Sequence, residues 1–287
     1  MGLKIVAAAS LQGDGPANED LVGGAHAAAW VLDGATGVGA DALNAPSDAH
    51  WFVHAFDRRL TEALTAAPGA PASHAVREAT RAVADDYAAA LPRPSPDYPP
   101  SAAFVMARAL GETADGIALE LVALGDCSAY VKTVEGLVEV FDGAGPTPID
   151  ARSLDALKRM QDASPDATPN EISARLRPVL RSNRDRMNVV GGYWILSLDA
   201  VAADHLVRRI VRVDRGAPIV LASDGFTRAV DMLALDPPDV FYAHVVREGP
   251  EAVAHAVRAA EAADADCRRF PRFKRSDDAT CAVLLIE

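Results

Sequence analysis

Short apolar runs bounded by turn residues stand at both ends of this chain, Lys4 to Ser10 at the start and Thr280 to Ile286 at the finish. A third run, Ala25 to Leu32, follows the first across the Gly13-Asp14-Gly15-Pro16 loop. Runs of this length and boundary read as strands. A chain that begins and ends in strand, with its helices gathered in blocks, fits an α+β sandwich better than a βαβ repeat, which would alternate throughout.

The blocks between are legible from spacing. Phe52, Phe56, Leu60 and Leu64 recur every four residues, and Val76, Thr80, Val83 and Tyr87 keep a similar rhythm, so Ser47 to Leu91 reads as helix. Pro68 and Pro71 divide it into a hairpin of two helices. Leu91 to Pro100 carries five prolines and reads as an extended connector. Next come runs at Ala102 to Leu110, Ile117 to Leu124, Ala129 to Thr133 and Leu137 to Phe141, separated by glycine-containing turns, which suggest an antiparallel meander. Asp150 to Arg186 is polar and helical. Val189 to Leu198, Val207 to Val213 and Pro218 to Ala222 return to strand character, and helices are expected near Ala229 to Arg247 and Glu251 to Ala263. No internal repeat is visible.

At 287 residues, half of them hydrophobic and 24% charged, the chain is expected to form one domain, 1–287. No apolar run approaches the roughly 18 residues that span a bilayer, and Met1 to Ser10 reads as a strand and not a secretory signal. A cytoplasmic protein is expected. Cys127, Cys267 and Cys281 have no CxxC spacing and are expected to be reduced thiols. A formal net charge of −12 argues against a nucleic-acid partner, because phosphate binding needs clustered Lys and Arg.

Four acidic motifs sit at the edges of these strands: Asn18-Glu19-Asp20, Leu32-Asp33-Gly34, Ser223-Asp224-Gly225 and Ser276-Asp277-Asp278-Ala279-Thr280. Asp33 or Asp224 alone reads best as a turn or helix-capping aspartate. Together the four motifs could converge on one site. Carboxylates in such numbers suit the hard cations Mg²⁺ and Mn²⁺, and a pair of ions about 4 Å apart is a common phosphoryl-transfer device. Asp33 is the candidate bridging residue.

With Gly125-Asp126-Cys127-Ser128-Ala129-Tyr130 added, these motifs resemble, in order and spacing, those of the PP2C (PPM) metal-dependent serine/threonine phosphatases. The resemblance spans nearly the whole chain. It implies an α+β fold, a four-layer α-β-β-α sandwich of two antiparallel sheets flanked by helix pairs, with residues 143–192 as a variable flap. It also implies two Mn²⁺ or Mg²⁺ ions. Asp33 would bridge them and Gly34 would offer its carbonyl, while Asp224 and Asp277 would hold one ion. Glu19 and Asp20 would hold metal-bound waters or touch the second ion, and Asp126 resembles the residue linked to a third, weaker ion. Asp33 and Asp20 carry the catalytic role. The implied reaction is hydrolysis of phosphoserine or phosphothreonine in a protein substrate by metal-activated water, opposing a serine/threonine kinase.

The chain also departs from that pattern. Gly15 stands where many members carry a phosphate-gripping arginine, Ala35 where some carry a histidine, and Arg228 where an acidic residue often follows Ser-Asp-Gly. Two basic runs could attract a phosphoprotein: Arg175, Arg177, Arg181, Arg184 and Arg186, and then Arg268, Arg269, Arg272, Lys274 and Arg275. A solvated surface is the commoner role for such runs. His50 and His54 have helical metal-pair spacing without a His-Glu-x-x-His motif, so packing is favoured for them, and no serine sits in a Gly-x-Ser-x-Gly elbow. The alternative reading is a regulatory or phosphoprotein-binding domain of this fold with little turnover.

Overall fold

In β3, the strand Ala28–Gly34, alternate side chains enter two different cores. Trp30 and Leu32 pack against helices, and Ala29 and Val31 face a second sheet. A strand buried on both faces needs an unbroken apolar run, and this is what the sequence supplies. Phe104 and Met106 repeat the pattern one strand along, opposite Ala103, Val105 and Ala107.

The computed structural model describes residues 2–91, 98–141 and 148–287. In chain order the elements are β1 (Leu3–Leu11), β2 (Asp20–Ala25), β3, α1 (Asp48–Ala66), α2 (Ala72–Ala90), β4 (Ala102–Thr113), β5 (Gly116–Leu124), β6 (Ser128–Thr133) and β7 (Gly136–Val140). There follow α3 (Pro148–Ala163), α4 (Pro169–Arg184), a 3₁₀ turn at Ala200–His205, β8 (Val207–Val213), β9 (Ile219–Ala222), α5 (Asp224–Asp231), α6 (Pro238–Glu248), α7 (Pro250–Ala263) and β10 (Ala279–Ile286). They form two five-stranded sheets, β1-β10-β9-β6-β7 and β2-β3-β4-β5-β8, antiparallel at every pairing.

Three hydrophobic layers separate four structural ones. The α1–α2 hairpin covers one sheet through Phe52, Phe56, Leu60 and Val76. The sheets meet each other through Val31, Val105, Leu121, Ala129, Leu221 and Leu284. Phe226, Phe241, Val245 and Val257 of α5, α6 and α7 cover the far face of the other sheet. This is the expected α-β-β-α sandwich. Each fully buried aromatic or aliphatic side chain contributes about 1.5–3 kcal/mol relative to exposure. The α3–α4 pair forms its own small cluster, with Leu157, Ile172 and Leu176 buried. There Thr168 and Glu171 close a capping box at the start of α4.

Several local expectations change. The four central strands do not form one meander, because β4 and β5 belong to one sheet and β6 and β7 to the other. Gly125, at φ +81, turns the chain across between them. Val189 to Leu198 holds turns and isolated bridges in place of a strand, since Asn188 and Gly191 take positive φ and the chain folds back on Arg186. The expected Ala229–Arg247 helix is instead α5 and α6, parted by residues 232–237, with Pro237 capping and Pro238 opening α6. Strand β2 was not expected. Its Gly23-Gly24 pair lowers strand propensity, yet Gly23 lies so close to the Trp30 indole that any side chain there would collide. Of the Leu91–Pro100 connector, residues 92–97 lie outside the described residues.

Candidate metal centre

Two carboxylates come from each sheet to one end of the sandwich. Asp20 opens β2 directly opposite Asp33 in β3, an arrangement of like charges that sheets ordinarily avoid. Asp224 begins α5 after β9, and Asp277 lies just ahead of β10, which pairs with β9. The two sheets are tied here by Ser223. Its hydroxyl donates to Asp20 Oδ2 at 2.8 Å and accepts from the Thr280 N–H at 3.0 Å. Gly225 lets α5 approach β10, because a Cβ there would run into the Asp278 carbonyl.

The remaining acidic residues are engaged with the protein. Asp278 accepts from the backbone N–H groups of Gly13 at 2.7 Å and Glu19 at 2.6 Å, which closes the β1–β2 loop over the site. Glu19 accepts from Ser47 at 2.5 Å and Thr36 at 2.6 Å, so both of its oxygens are taken. Ser47 is also the N-cap of α1, and this links the helix start to the centre. The Gly34 N–H donates to the Glu19 carbonyl at 3.0 Å. Asp126 is exposed on the β5–β6 turn and contributes to the field at Asp33.

Burial decides the charge states. It pushes Asp20 up to about 8, against the Ser223 and Thr280 hydrogen bonds and with help from Asp278 and Asp224. Asp33 is held well above the usual carboxylate range by burial and by Asp20, Asp224, Asp126 and Asp277. Asp224 is raised by burial, with help from Asp277 and despite Arg228. Asp277 goes the other way. Burial would raise it, but Lys274 and Arg228 outweigh that and hold it below its ordinary value. Their contacts are direct, Lys274 Nζ at 2.9 Å from Oδ1 and Arg228 Nη2 at 2.8 Å from Oδ2.

Among the described residues, no three His, Cys, Asp or Glu side chains are already gathered as a metal-holding group. The reason is visible in the hydrogen bonds: Glu19 and Asp278 are turned to donors of the fold, and Asp277 to two cations. A partial set remains. Asp20 Oδ1 is buried with no hydrogen-bond partner. An orphaned buried carboxylate oxygen is costly, and beside it stand two more carboxylates with raised proton affinity. Asp20, Asp33 and Asp224 are hard oxygen donors of the kind that suits a divalent cation, and Arg228 acts on Asp224 as well as on Asp277.

Neither a family model nor a curated protein matches the chain. Solved structures do match along the full length. The serine/threonine phosphatase PstP/Ppp of Mycobacterium tuberculosis superposes with a TM-score of 0.55 at 18% identity, covering 100% of both chains. The PPM Ser-Thr phosphatase MsPP of Mycobacterium smegmatis gives 0.52 at 14% identity over 99% of this chain and 100% of its own. Stp1 of Staphylococcus aureus gives 0.54 at 13%, over 100% and 97%. The fold is that of the PPM serine/threonine phosphatases. Within this PPM fold, Asp20, Asp33, Asp224 and Asp277 occupy one neighbourhood, Glu19 and Gly34 support it, and Asp126 stands at its rim.

The basic runs divide. Arg272 is buried and spent internally on Asp264 and on the carbonyls of Glu261, Phe270 and Arg275. Arg268 ties the carbonyls of Gln161 and Pro165. Arg184 reaches from α4 to the carbonyls of Ala35 and Thr36 and to Ser101, pinning the loop beyond Asp33. His50 and His54 meet as tilted rings with centroids 4.5 Å apart, and His50 Nδ1, 2.9 Å from the Asn18 carbonyl, holds the acidic loop from behind. Ser223 and Lys274 are the residues whose part at the centre the sequence did not disclose. A serine before Asp-Gly and a lysine three residues before Asp277 were the available signals.

Proposed function

We propose that this chain is a metal-dependent phosphoprotein phosphatase that hydrolyses phosphoserine and phosphothreonine. The observation that supports it is the orphaned, buried Asp20 Oδ1 among Asp33 and Asp224, at the meeting of both sheets in a PPM fold. A bound divalent cation would supply Lewis acidity there, lowering the pKa of water and neutralising phosphoryl charge.

The chain's own residues set the stage for that chemistry. Ser223 fixes the Asp20 carboxylate through Oδ2 and leaves Oδ1 facing the centre. Burial raises the proton affinity of Asp33 and of Asp224, a cost that a bound divalent cation would offset. Lys274, with its side chain 32% exposed, places an ammonium at the mouth, where a substrate phosphate dianion would meet it. Phosphorylated proteins as substrates, an opposing serine/threonine kinase and a cytoplasmic setting belong to the same proposal. No helix among the described residues is long and apolar enough to cross a membrane.

A second reading, a binding or regulatory domain, draws support from Asp277, which is neutralised by Lys274 and Arg228, and from Gly15 and Ala35. One assay separates the two. Phosphate release from p-nitrophenyl phosphate and from phosphopeptides is measured with and without Mn²⁺, for the native chain and Asp33→Asn. Multiple turnover lost in Asp33→Asn supports the phosphatase, while equal rates in both proteins, or tight phosphopeptide binding without hydrolysis, overturn it.

A further inference from the structure

The positive charge of α4 is gathered on one face. Arg177, Arg181 and Arg184 stand at i, i+4 and i+7, which aligns them along the helix. The acidic residue of α4, Glu171, is held in the capping box by Thr168, and Asp185 follows as the C-cap. The stripe starts at the centre. Arg184 Nη2 donates to the carbonyls of Ala35 at 3.2 Å and Thr36 at 3.1 Å, immediately beyond Asp33 and Gly34. Arg181 Nε donates to the Val38 carbonyl at 3.1 Å, further out along the same loop. Arg177, the next member of the stripe, is exposed and has no hydrogen bond or ion pair with the described residues. In a chain of formal net charge −12, a basic track leading away from the acidic centre is a local exception.

A guanidinium matches a carboxylate bidentately, and one already oriented by a backbone carbonyl loses little freedom on pairing. Arg181 spends only its Nε on the loop, and Arg177 spends nothing. From Arg184 to Arg177 the helix advances about 10 Å, the reach of about three extended residues. We propose that the face of α4 formed by Arg177, Arg181 and Arg184 docks the extended chain beside the phosphorylated residue, and so selects substrates with acidic side chains within about four residues of it. The inference rests on reading the site as a phosphatase centre, and it adds which phosphoproteins that centre favours.

The test uses fluorescein-labelled peptides carrying a non-hydrolysable phosphonate analogue of phosphothreonine, flanked at the second and fourth positions on both sides by Asp or, in a matched control, by Asn. Fluorescence anisotropy with Mn²⁺ present reads the Kd. The native chain is expected to bind the Asp peptide at least about fivefold more tightly than the Asn peptide, and this preference should shrink as NaCl rises from about 50 to about 300 mM. Arg177→Gln should cut the preference about two- to fourfold, Arg177→Glu should cut it further, and Arg177→Lys should keep most of it. Arg177 is exposed and unpaired, so these variants keep the contacts of the fold. No preference for Asp in the native chain, or the native preference kept in both Arg177→Gln and Arg177→Glu, overturns the inference. Equally tight binding of an Asp peptide that lacks the phosphonate also overturns it, because docking would then be independent of the centre. Hydrolysis of the matching phosphothreonine peptides at equal kcat/KM would sink the docking surface and leave the phosphatase standing. An Arg177-dependent preference without hydrolysis would uphold the surface while the phosphatase is rejected.

Discussion

Asp20 and Asp33 face each other as cross-strand carboxylates, and the cost of charging both there shapes what the residues of this centre do. Replacing Asp20 by Asn keeps the shape and lets the side-chain oxygen still accept from Ser223. We therefore expect Asp20→Asn to raise the melting temperature of the metal-free protein by about 2–4 °C, the shift that about 1 kcal/mol produces in a chain of this size. Divalent cations should stabilise that variant far less than the native chain. A lower melting temperature without metal would contradict the argument. The pH dependence follows from the same groups. In the fold Asp20 keeps its proton up to about 8, whereas in the unfolded chain it loses it near 3.9. The native state then binds more protons than the unfolded state, so stability falls as pH rises through this window. As far as Asp20 decides, metal-free protein should be most stable at or below about pH 4, and the gain on adding Mn²⁺ should grow towards pH 8. Thermal melts at both pH values, with and without Mn²⁺, check this; a gain that shrinks with pH would refute it.

At the scale of elements, the centre depends on how α5 meets β10. Ser223 occupies the N-cap of α5 but makes no side-chain capping bond there, because its hydroxyl is committed to Asp20 and Thr280. Capping of that kind is worth about 1 kcal/mol, and here it gives way to fixing a carboxylate. Gly225 permits the close approach on which the arrangement rests. We expect Gly225→Ala to push α5 away from the Asp278 carbonyl, lowering stability by about 1–3 kcal/mol and weakening Mn²⁺ binding even where the fold persists. Denaturant melts and Mn²⁺ titration measure both. Full stability with native affinity would show that α5 has room to spare.

For the whole molecule, stability is unevenly shared. The sandwich holds three contiguous cores, whereas α3 and α4 add only a small cluster around Leu157, Ile172 and Leu176, joined to the body by contacts such as Gln161 Nε2 to the Cys267 carbonyl at 3.0 Å. Segments with few buried apolar contacts open first. Amide exchange should therefore be faster in α4 than in β4 and β5 by orders of magnitude, with Arg184 and its loop contacts following α4. Equal protection in the two regions would show that the helical pair is integral to the core.

The sequence by itself determined an α+β sandwich. Four-residue spacing marked the α1–α2 hairpin, apolar runs bounded by turn residues marked strands, and acidic motifs at strand ends marked where chemistry would gather. These signals are local, and periodicity carries them. The division of the central strands between two sheets was not legible, because the strands at Ala102–Leu124 and Ala129–Phe141 look alike whichever sheet they join. Nor was the charge balance of the centre. Lys274 read as one of a basic run and Arg228 as a departure from a motif, while the fold places both on Asp277 and leaves Asp20 Oδ1 with none. Arg228 and Asp277 meet only through the packing of α5 on β10. Electrostatics depends on distance in space, and only the tertiary structure decided which basic groups neutralise Asp277 and that Asp20 Oδ1 keeps no partner.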